Sequence, residues 1–387
     1  MSWPKSPIGE HTKKIKTWNP VTSGSSDPFD YIDLASVDKE KKQIDLTEVP
    51  NIFPVDAPSR ARQIVHQEDV IVATVRPNLN GVSKVPESLH SSTASTGYCV
   101  LRANDESLDS NYLFYWLQTR KFIQDMMSKA TGANYPAVSD RIIKESTIPL
   151  PPLAEQKRIA AILDKADAIR RKRQQAIQLA DEFLRSVFLD MFGDPVTNPK
   201  GWEVKKFEEL GQWASGGTPS RSVPEYFEGN IDWYSARELN DRYLNGSIEK
   251  ITENALRESA AKIFPKGSML VGMYDTAAFK ISILTEPSAS NQACANIIPN
   301  ELVHIEWLFS FIEFSKETYL RQRRGVRQKN LNLGMIKDFE LPLPPLPEQE
   351  KFLEVVKKLM STKNYQYETA KMSNCQFGVL SQKAFSG

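Results

Sequence analysis

The chain has 387 residues, 40% hydrophobic and 25% charged, a balance typical of globular proteins; at roughly 100–200 residues per domain it predicts two or three domains. Its 49 basic and 48 acidic residues give a net charge of +1, so a nucleic-acid surface would need local clustering of positive charge. No apolar run reaches about 18 residues and no apolar leader opens the chain, so we expect no membrane span and a cytoplasmic location. Three widely spaced cysteines, Cys99, Cys294 and Cys375, predict buried free thiols rather than disulfides or a zinc site.

The first half of the chain contains five recognisable segments. An aromatic-led segment, YIDLASV (31–37), precedes an extended apolar one, HQEDVIVATVRP (66–77). A small-residue segment, STASTGYCVLRAN (92–104), and an aromatic helical stretch, NYLFYWLQTRKFI (111–123), come next. The last segment, IPLPPLAEQ (148–156), contains prolines that cannot lie inside a helix, so it ends the helical stretch before the next element begins.

The second half repeats these segments in the same order. They are WYSAREL (233–239), PKGSMLVGMYD (265–275), SASNQACANIIPN (288–300), EWLFSFIEFSKETYL (306–320) and LPLPPLPEQ (341–349). Pro149 matches Pro342, 193 positions later, and Cys99 falls opposite Cys294. One such pair could arise by chance, but five in one order indicate two similar domains, each followed by its own helix.

Each proline-rich junction opens a long helix. From about residue 154 to residue 192 there is neither Pro nor Gly, and Gly193 followed by Pro195 predicts the helix end. Its ~39 residues would span about 58 Å. The apolar residues that recur at the three–four spacing of a coiled-coil seam are Ile159, Ile162, Ala166, Ile169, Ala176, Ala180, Phe183 and Val187.

A second helix, from about residue 347 to residue 384, has a weaker apolar face. We expect the two helices to pair as an antiparallel coiled coil with one domain at each end. The alternative is that each helix packs on its own domain.

No catalytic motif stands out. The sequence contains no G-x-x-x-x-G-K-[ST] phosphate loop and no G-x-G-x-x-G dinucleotide fingerprint. The turn-rich run GGTPS (216–220) has no lysine to hold phosphates, and the four histidines lie singly. We therefore expect a chain without an active site, a cofactor or a metal of its own.

The phrase P-L-P-P-L-x-E-Q opens a long helix twice, about 190 residues apart, and in this arrangement the chain resembles the specificity subunits of type I restriction-modification systems. The match is carried by residues 149–156 with KRIAAILDKADAIRRKR and residues 342–349 with KFLEVVKK. Also similar are GWEVKKFEELGQWASGGTPS (201–220), the usual opening of a target-recognition domain, and FGDP (192–195). The resemblance covers essentially the whole chain, although the first half lacks a GGTPS loop.

The resemblance implies an α+β (mixed α/β) fold, with two similar target-recognition domains separated by a long antiparallel two-helix coiled coil. The implied divisions are 1–150 and 194–345 for the domains, and 151–193 and 346–387 for the helices. Each domain would read one half of a split, asymmetric site in double-stranded DNA, and the helices would set the spacing and dock two modification subunits. Those partners would use S-adenosylmethionine to methylate adenine, and restriction subunits would use ATP and Mg to translocate and cut DNA.

Docking is expected on the polar faces of the two helices. Glu155 and Gln156 lie in the first turn of one helix, and Glu348 and Gln349 in the first turn of the other. A carboxylate also stabilises a helix N-terminus, which alone could explain the two glutamates.

Candidate DNA-contacting residues come from a basic run and from polar residues in predicted loops. The run RQRRGVRQK (321–329) is the densest positive cluster, and arginine suits bidentate contacts with phosphate or guanine. Gly132 and Gly325, 193 positions apart, are expected to form turns in equivalent loops. Candidates in the second domain are Arg321, Arg323, Arg324, Arg327, Lys329, Ser220, Arg221, Tyr274 and Gln292. Candidates in the first domain are Arg76, Asn78, Asn80, Lys84, Asn134 and Tyr135.

Other classes of function stay open on the sequence alone. The chain could be the recognition chain of a related type II system, or a coiled-coil scaffold without a DNA role. A stand-alone nuclease would require metal-dependent cleavage by the isolated chain. DNA binding measured across a salt series separates a DNA-binding chain from a scaffold.

Overall fold

The computed structural model describes residues 3–132, 134–321, 330–359, 380–381 and 383–385. The chain divides into two compact units: unit 1 contains residues 1–175 and 367–387, and unit 2 contains residues 176–366. Both units combine short strands with helices, which confirms the predicted α+β fold. The finer division into two domains and two separate helical segments stays a prediction. Among the described residues, no helix is both long enough and apolar enough to cross a membrane.

Unit 1 is built from two four-stranded sheets. One has the strand order β6-β3-β10-β7 and the other β2-β11-β8-β9. The strands are β1 (Lys5–Pro7), β2 (Thr12–Lys13), β3 (Phe29–Ile32), β4 (Val37–Asp38), β5 (Gln43–Ile44), β6 (Asn51–Ile52), β7 (Ala61–Ile64), β8 (Val70–Ala73), β9 (Val82–Lys84), β10 (Thr93–Ser95), β11 (Tyr98–Ala103) and β12 (Thr147–Pro149). The helices are α1 (Ser110–Trp116), α2 (Arg120–Lys129), α3 (Asp140–Glu145) and α4 (Leu153–Phe192), the last of which enters unit 2 at residue 176.

The apolar run of β8 is explained by burial on both faces of its sheet. Val70 and Val72 point into a core shared with α1, whereas Ile71 and Ala73 point into a second core on the opposite face. Because side chains alternate along a strand, only a continuously apolar strand can fill both cores.

Unit 2 repeats this architecture. Its sheets have the orders β17-β15-β21-β18 and β14-β22-β19-β20-β16. The strands are β13 (Glu203–Lys206), β14 (Gly211–Ser215), β15 (Ile231–Tyr234), β16 (Tyr243–Leu244), β17 (Glu249–Ile251), β18 (Ile263–Phe264), β19 (Met269–Gly272), β20 (Ile281–Leu284), β21 (Ser288–Ser290), β22 (Cys294–Pro299) and β23 (Glu340–Leu343). The helices are α5 (Glu253–Arg257), α6 (Ile305–Leu320) and α7 (Leu333–Lys337), and a further helix begins at residue 346 and is described to residue 359.

The duplication predicted from the sequence is confirmed in detail. β3 and β10 run parallel in unit 1, as β15 and β21 do in unit 2. Cys99 and Cys294 lie in the equivalent strands β11 and β22, and both are buried free thiols, as predicted. Cys375 lies outside the described residues.

α4 has the predicted bounds, and it ends at a glycine. Gly193 adopts the left-handed conformation (φ +79°), and its N–H donates to the carbonyl oxygen of Leu189 over 2.8 Å. Since a left-handed residue cannot continue the helix and favours glycine, this is the expected stop.

The predicted seam of α4 is wrong at four positions, of which Ala176 is one, because its side chain is exposed. Ile162, Ile169 and Phe183 are 42%, 50% and 54% exposed, whereas Leu163 and Phe188 are buried. Most α4 side chains that are buried against the rest of each unit lie one position further along the chain than the predicted seam, as Ala160, Leu163, Leu184 and Phe188 do. The apolar spacing alone could not distinguish these two faces of the helix. Residues 360–379 of the second helix lie outside the described residues, so the antiparallel pairing along the helices stays a prediction.

Both ends of the second helical segment have packing partners within their own units. In unit 2, the Phe352 ring lies 5.4 Å from that of Phe188 on α4. In unit 1, the Phe385 ring lies 4.9 Å from Tyr112 and 5.3 Å from Trp116, both on α1.

Candidate nucleic-acid interface

A buried glutamine fastens the start of each long helix to its unit. In unit 1, Gln156 Oε1 accepts the backbone N–H of Asp109 over 3.0 Å, and Nε2 donates to the carbonyl oxygens of Ser107 and Pro151, both over 2.9 Å. Its side chain is fully buried. The prediction that Gln156 belongs to an exposed docking face is therefore wrong.

Gln349 repeats this arrangement in unit 2, and the same prediction is wrong there. Its Oε1 accepts the N–H of His304 over 2.9 Å, and Nε2 donates to the carbonyl oxygens of Leu302 (3.1 Å) and Pro344 (2.8 Å). A glutamine amide offers a donor and an acceptor together, so one buried side chain satisfies backbone groups on both sides of the junction. In each unit, the backbone just before α1 or α6 is thus fixed to the first turn of the long helix.

Four of the first-domain candidates come together at one exposed place. Arg76 lies in the loop between β8 and β9, and its N–H donates to the carbonyl oxygen of Pro136 over 2.7 Å. The guanidinium carbon of Arg76 lies 4.7 Å from the centre of the Tyr135 ring, which is 66% exposed. Asn78 and Asn134 are exposed next to them in sequence. This cation–π contact orients the guanidinium without using its hydrogen-bond donors.

The loop that carries Tyr135 turns at a glycine. Thr131 and Ala137 form a backbone bridge, and Gly132 has φ +96°. A Cβ at this position would lie 2.8 Å from the carbonyl oxygen of Tyr135, so glycine is required, as predicted. Gly325, its counterpart in sequence, lies outside the described residues.

Asn80 and Lys84 have internal partners instead of an open surface. Asn80 is buried, and its Nδ2 donates to the carbonyl oxygen of Leu117 over 2.8 Å. Lys84 Nζ donates to Glu68 Oε2 (2.6 Å) and to Asn111 Oδ1 (2.5 Å). These contacts stabilise the hairpin that presents Arg76, so neither side chain belongs to the exposed group around Arg76 and Tyr135.

In unit 2, three loops meet around the GGTPS run. The N–H of Gly217 donates to the carbonyl oxygen of Ser290 over 2.9 Å, and Thr218 Oγ1 donates to Gln292 Oε1. A Cβ at Gly217 would lie 2.2 Å from the Ala260 backbone, which explains the glycine.

The Tyr274 hairpin joins the same group of loops. The N–H of Met273 donates to the carbonyl oxygen of Ala293 over 2.9 Å, which places the 40% exposed Tyr274 beside the loop that carries Gln292. Ser220 is exposed at the end of the GGTPS run, where its hydroxyl lies 2.7 Å from that of Ser222.

Arg221 is held in place by both charge and aromatic rings. It makes two hydrogen bonds to the Glu249 carboxylate, of 2.5 Å and 2.8 Å, and its guanidinium carbon lies 4.2 Å and 5.2 Å from the Phe227 and Trp233 ring centres. The ion pair raises the pKa of Arg221 and lowers that of Glu249. Glu249 and Thr218 were not among the predicted residues, because only the fold brings them to Arg221 and Gln292.

The basic run is described only at its edges. Arg321 is exposed directly after α6, whereas Arg323, Arg324, Arg327 and Lys329 lie outside the described residues and stay predictions. Beyond the run, the N–H of Leu331 donates to the carbonyl oxygen of Met273 over 2.8 Å. In unit 1, the N–H of Val138 donates to the carbonyl oxygen of Thr74 over 2.9 Å, so the two repeats join the same pair of loops.

A family model for the type I restriction modification DNA specificity domain matches residues 57–179 and 199–369. The chain belongs to this family. The resemblance predicted from the two proline-rich junctions is thereby confirmed.

Individual relatives agree with this assignment. The chain is 26% identical over 280 residues to the type I restriction enzyme EcoR124I/EcoR124II specificity subunit of Escherichia coli, covering 68% of this chain and 67% of that one. In fold it is similar to a chain solved in work on complex assembly and conformational transition of the type I R-M system, with a TM-score of 0.57 at 24% identity over 100% of this chain and 98% of that one. It is also similar to the type I restriction-modification S subunit from M. genitalium, with a TM-score of 0.60 at 14% identity over 100% and 97% of the two chains.

Proposed function

We propose that this chain is the DNA-specificity subunit of a type I restriction-modification complex, in which each unit reads one half of a bipartite, asymmetric site in double-stranded DNA. The observation that carries the proposal is the duplicated fold with two sets of exposed polar loops at matched places. The side chains on the two sets differ: Arg76, Asn78 and Tyr135 in unit 1, and Tyr274 and Gln292 in unit 2. Two similar folds that present different loop side chains would read different half-sites.

The exposed side chains fit both tasks of DNA recognition. Arginine and glutamine can make paired hydrogen bonds to guanine and adenine edges in the major groove. Exposed cations such as Arg321 would bind phosphates, which adds affinity that falls with salt. Arg221 would enter such contacts already oriented by Phe227 and Trp233.

α4 is suited to setting the distance between two half-sites. It is a single helix of 40 residues, which corresponds to about 60 Å. Half-sites read from one face of DNA lie about 34–36 Å apart, or multiples of that distance. A stiff helix of this length would make the spacing itself part of the recognised sequence.

The methylation and cleavage chemistry would belong to partner subunits. Exposed apolar side chains on α4, Ile162 and Ile169 in unit 1 and Leu179 and Phe183 in unit 2, fit a helix face that a partner covers. We assign that face to two modification subunits that carry S-adenosylmethionine. Restriction subunits would use ATP and Mg, and this chain would have no catalytic residue and no cofactor. The complex would act on DNA in the cytoplasm.

The test is DNA binding by the full chain with its modification subunit, measured across a salt series. We expect Arg76→Ala to weaken binding to the cognate site by about 1–3 kcal/mol. Lys129→Ala removes another exposed cation of unit 1, one paired with Asp125 on α2, and should leave binding unchanged. A scaffold without a DNA role would show no specific binding at any salt concentration, and that result would refute the proposal.

A further inference from the structure

Two cavities occupy equivalent places in the two units. Cavity 1, of about 490 Å³ in unit 1, is bounded by α1, β9, the segment around β5 and α4. Cavity 2, of about 420 Å³ in unit 2, is bounded by α6, the start of β20, the segment before β16 and α4. Phe114 lines the first and Phe309 the second, and these residues are 195 positions apart, like Cys99 and Cys294. The cavity therefore belongs to the duplicated fold.

Each cavity is lined by a cation from the same place in the repeat. Lys42 directly precedes β5, and Arg242 directly precedes β16. Lys42 Nζ donates to the backbone and side-chain oxygens of Asn80, over 2.5 Å and 2.9 Å. Arg242 Nη2 donates to the carbonyl oxygen of Glu306 over 2.9 Å, and its guanidinium carbon lies 4.5 Å from the Phe309 ring centre. The partners of both cations are thus neutral groups.

Most other cations that line the two cavities have a carboxylate partner. In cavity 1, Lys84 forms an ion pair with Glu68 at 2.6 Å, and Arg171 forms one with Asp167 at 2.6 Å. In cavity 2, Lys316 lies 3.8 Å from Glu313, whereas the half-buried Lys280 also has a neutral partner and donates to Asn240 Oδ1 over 2.6 Å.

In the part of the chain that the structure describes, no carboxylate forms such an ion pair with Lys42 or Arg242. Asp38 acts on Lys42, and Glu306 and Glu313 act on Arg242, only from beyond ion-pair distance, and burial outweighs their effect on both pKa values. A buried cation without a directly paired carboxylate is unfavourable, so both positions favour an added anion.

Two further observations indicate that Lys42 and Arg242 would be stabilised by a bound anion. Burial lowers the pKa of Lys42 to about 8 and also lowers the pKa of Arg242. The Nε of Arg242 is buried and has no hydrogen-bond partner among the described residues. A buried donor without a partner loses the hydrogen bond it had with water, and an entering oxygen atom would restore it.

We propose that each cavity is a socket for an acidic side chain of a modification subunit, whose carboxylate meets Lys42 in unit 1 and Arg242 in unit 2. This inference rests on the proposed function and names the docking site for that partner. Two equivalent sockets match a partner that is present in two copies.

A protein carboxylate fits these cavities better than a phosphate does. Asp181, Asp241 and Glu313 also line cavity 2, and they would repel a dianion more strongly than a single negative charge. Leu184 and Phe314 supply apolar wall for the aliphatic stem of an acidic side chain. Cavity 1 has the same mixed character, with Asp164 and Ile44 among its lining residues.

The test uses the full chain with its modification subunit and compares Lys42→Met, Arg242→Met and the double variant. Methionine keeps an unbranched side chain and removes the charge. Native mass spectrometry and titration should show that each single variant loses one of two bound subunits, with Kd at that position raised about 30-fold or more. The double variant should lose both, and Arg242→Lys should restore part of the binding.

Matched controls and a small-ion probe complete the experiment. Lys129→Met in unit 1 and Lys206→Met in unit 2 remove paired cations outside the two cavities and should bind like the unchanged chain. Thermal melts of each variant alone check that it folds. Folded single variants that bind two subunits with unchanged Kd would overturn the inference.

Inorganic phosphate separates a docking socket from a small-anion site. Phosphate that raises the melting temperature of the unchanged chain but not of Arg242→Met, with subunit binding unaffected, would overturn the inference in favour of a small-anion site. If the unchanged chain binds no modification subunit, the proposed function fails, and this inference fails with it.

Discussion

The Gln156 anchor gives the sharpest test of how each unit is fixed to its helix. Gln156→Ala removes three hydrogen bonds and leaves the N–H of Asp109 and the carbonyl oxygens of Ser107 and Pro151 without the partner they have now. A buried polar group left unsatisfied costs about 1–3 kcal/mol, and relaxation or entry of water recovers part of this. We therefore expect unit 1 to lose about 3 kcal/mol of its free energy of unfolding.

Urea denaturation and hydrogen exchange together can measure this effect. The urea transition assigned to unit 1 should shift to lower concentration, and the amide of Asp109 should exchange faster, because Gln156 is the acceptor that protects it. Glu155→Ala is the control, since Glu155 is a neighbouring residue whose carboxylate pairs with Arg158 on the helix surface. Equal stability of the two variants, within about 0.5 kcal/mol, would refute the anchoring role.

Two further predictions concern unit 1. Phe385→Ala should lower the free energy of unfolding of unit 1 by about 3 kcal/mol, because the Phe385 ring packs 4.9 Å from that of Tyr112. Phe385→Leu should lower it by less. A urea midpoint that is unchanged in both variants would contradict this packing. Burial, together with the nearby charge of Arg170, lowers the pKa of Lys42 from its usual 10.5 to about 8 in the folded chain, so the unfolded chain binds more protons between these values. The free energy of unfolding of the unchanged chain, relative to that of Lys42→Met, should therefore rise as pH increases from about 8 to about 10.5. Urea denaturation of both chains at several pH values measures this difference, and a difference that does not change with pH would disprove the prediction.

The sequence was sufficient to predict the duplication and the long helix, because both leave marks that need no tertiary information. Prolines are not tolerated inside a helix, so they mark where each long helix begins, and Gly193 marks where the first one ends. The five segments recur in the same order in both halves. It could not show which face of α4 is buried. Ile162 and Leu163 are equally apolar, and only packing in the folded unit leaves the first exposed and buries the second. The same limit hid the anchoring role of Gln156, whose partners at Ser107 and Asp109 lie far from it in sequence.

Candidate contact residues were harder to predict than the fold for a related reason. Arg76 and Asn80 belong to one loop and are both polar, yet the structure exposes the first over Tyr135 and buries the second beside Leu117. Composition cannot distinguish a side chain that holds a loop from one that the loop presents. Contacts between loops make that distinction, and they depend on the whole unit.

The two repeats conserve the attachment of the units while varying the surface that they present. Gln156 and Gln349 make matching sets of three hydrogen bonds to the same places in the fold. By contrast, the loop after β8 in unit 1 carries Arg76, whereas the equivalent loop after β19 in unit 2 carries Tyr274. Because attachment depends on buried backbone groups and the proposed recognition depends on exposed side chains, loop residues can change without altering how a unit is held. A change of recognised sequence should therefore require substitutions in the loops alone, with the helix junctions left intact.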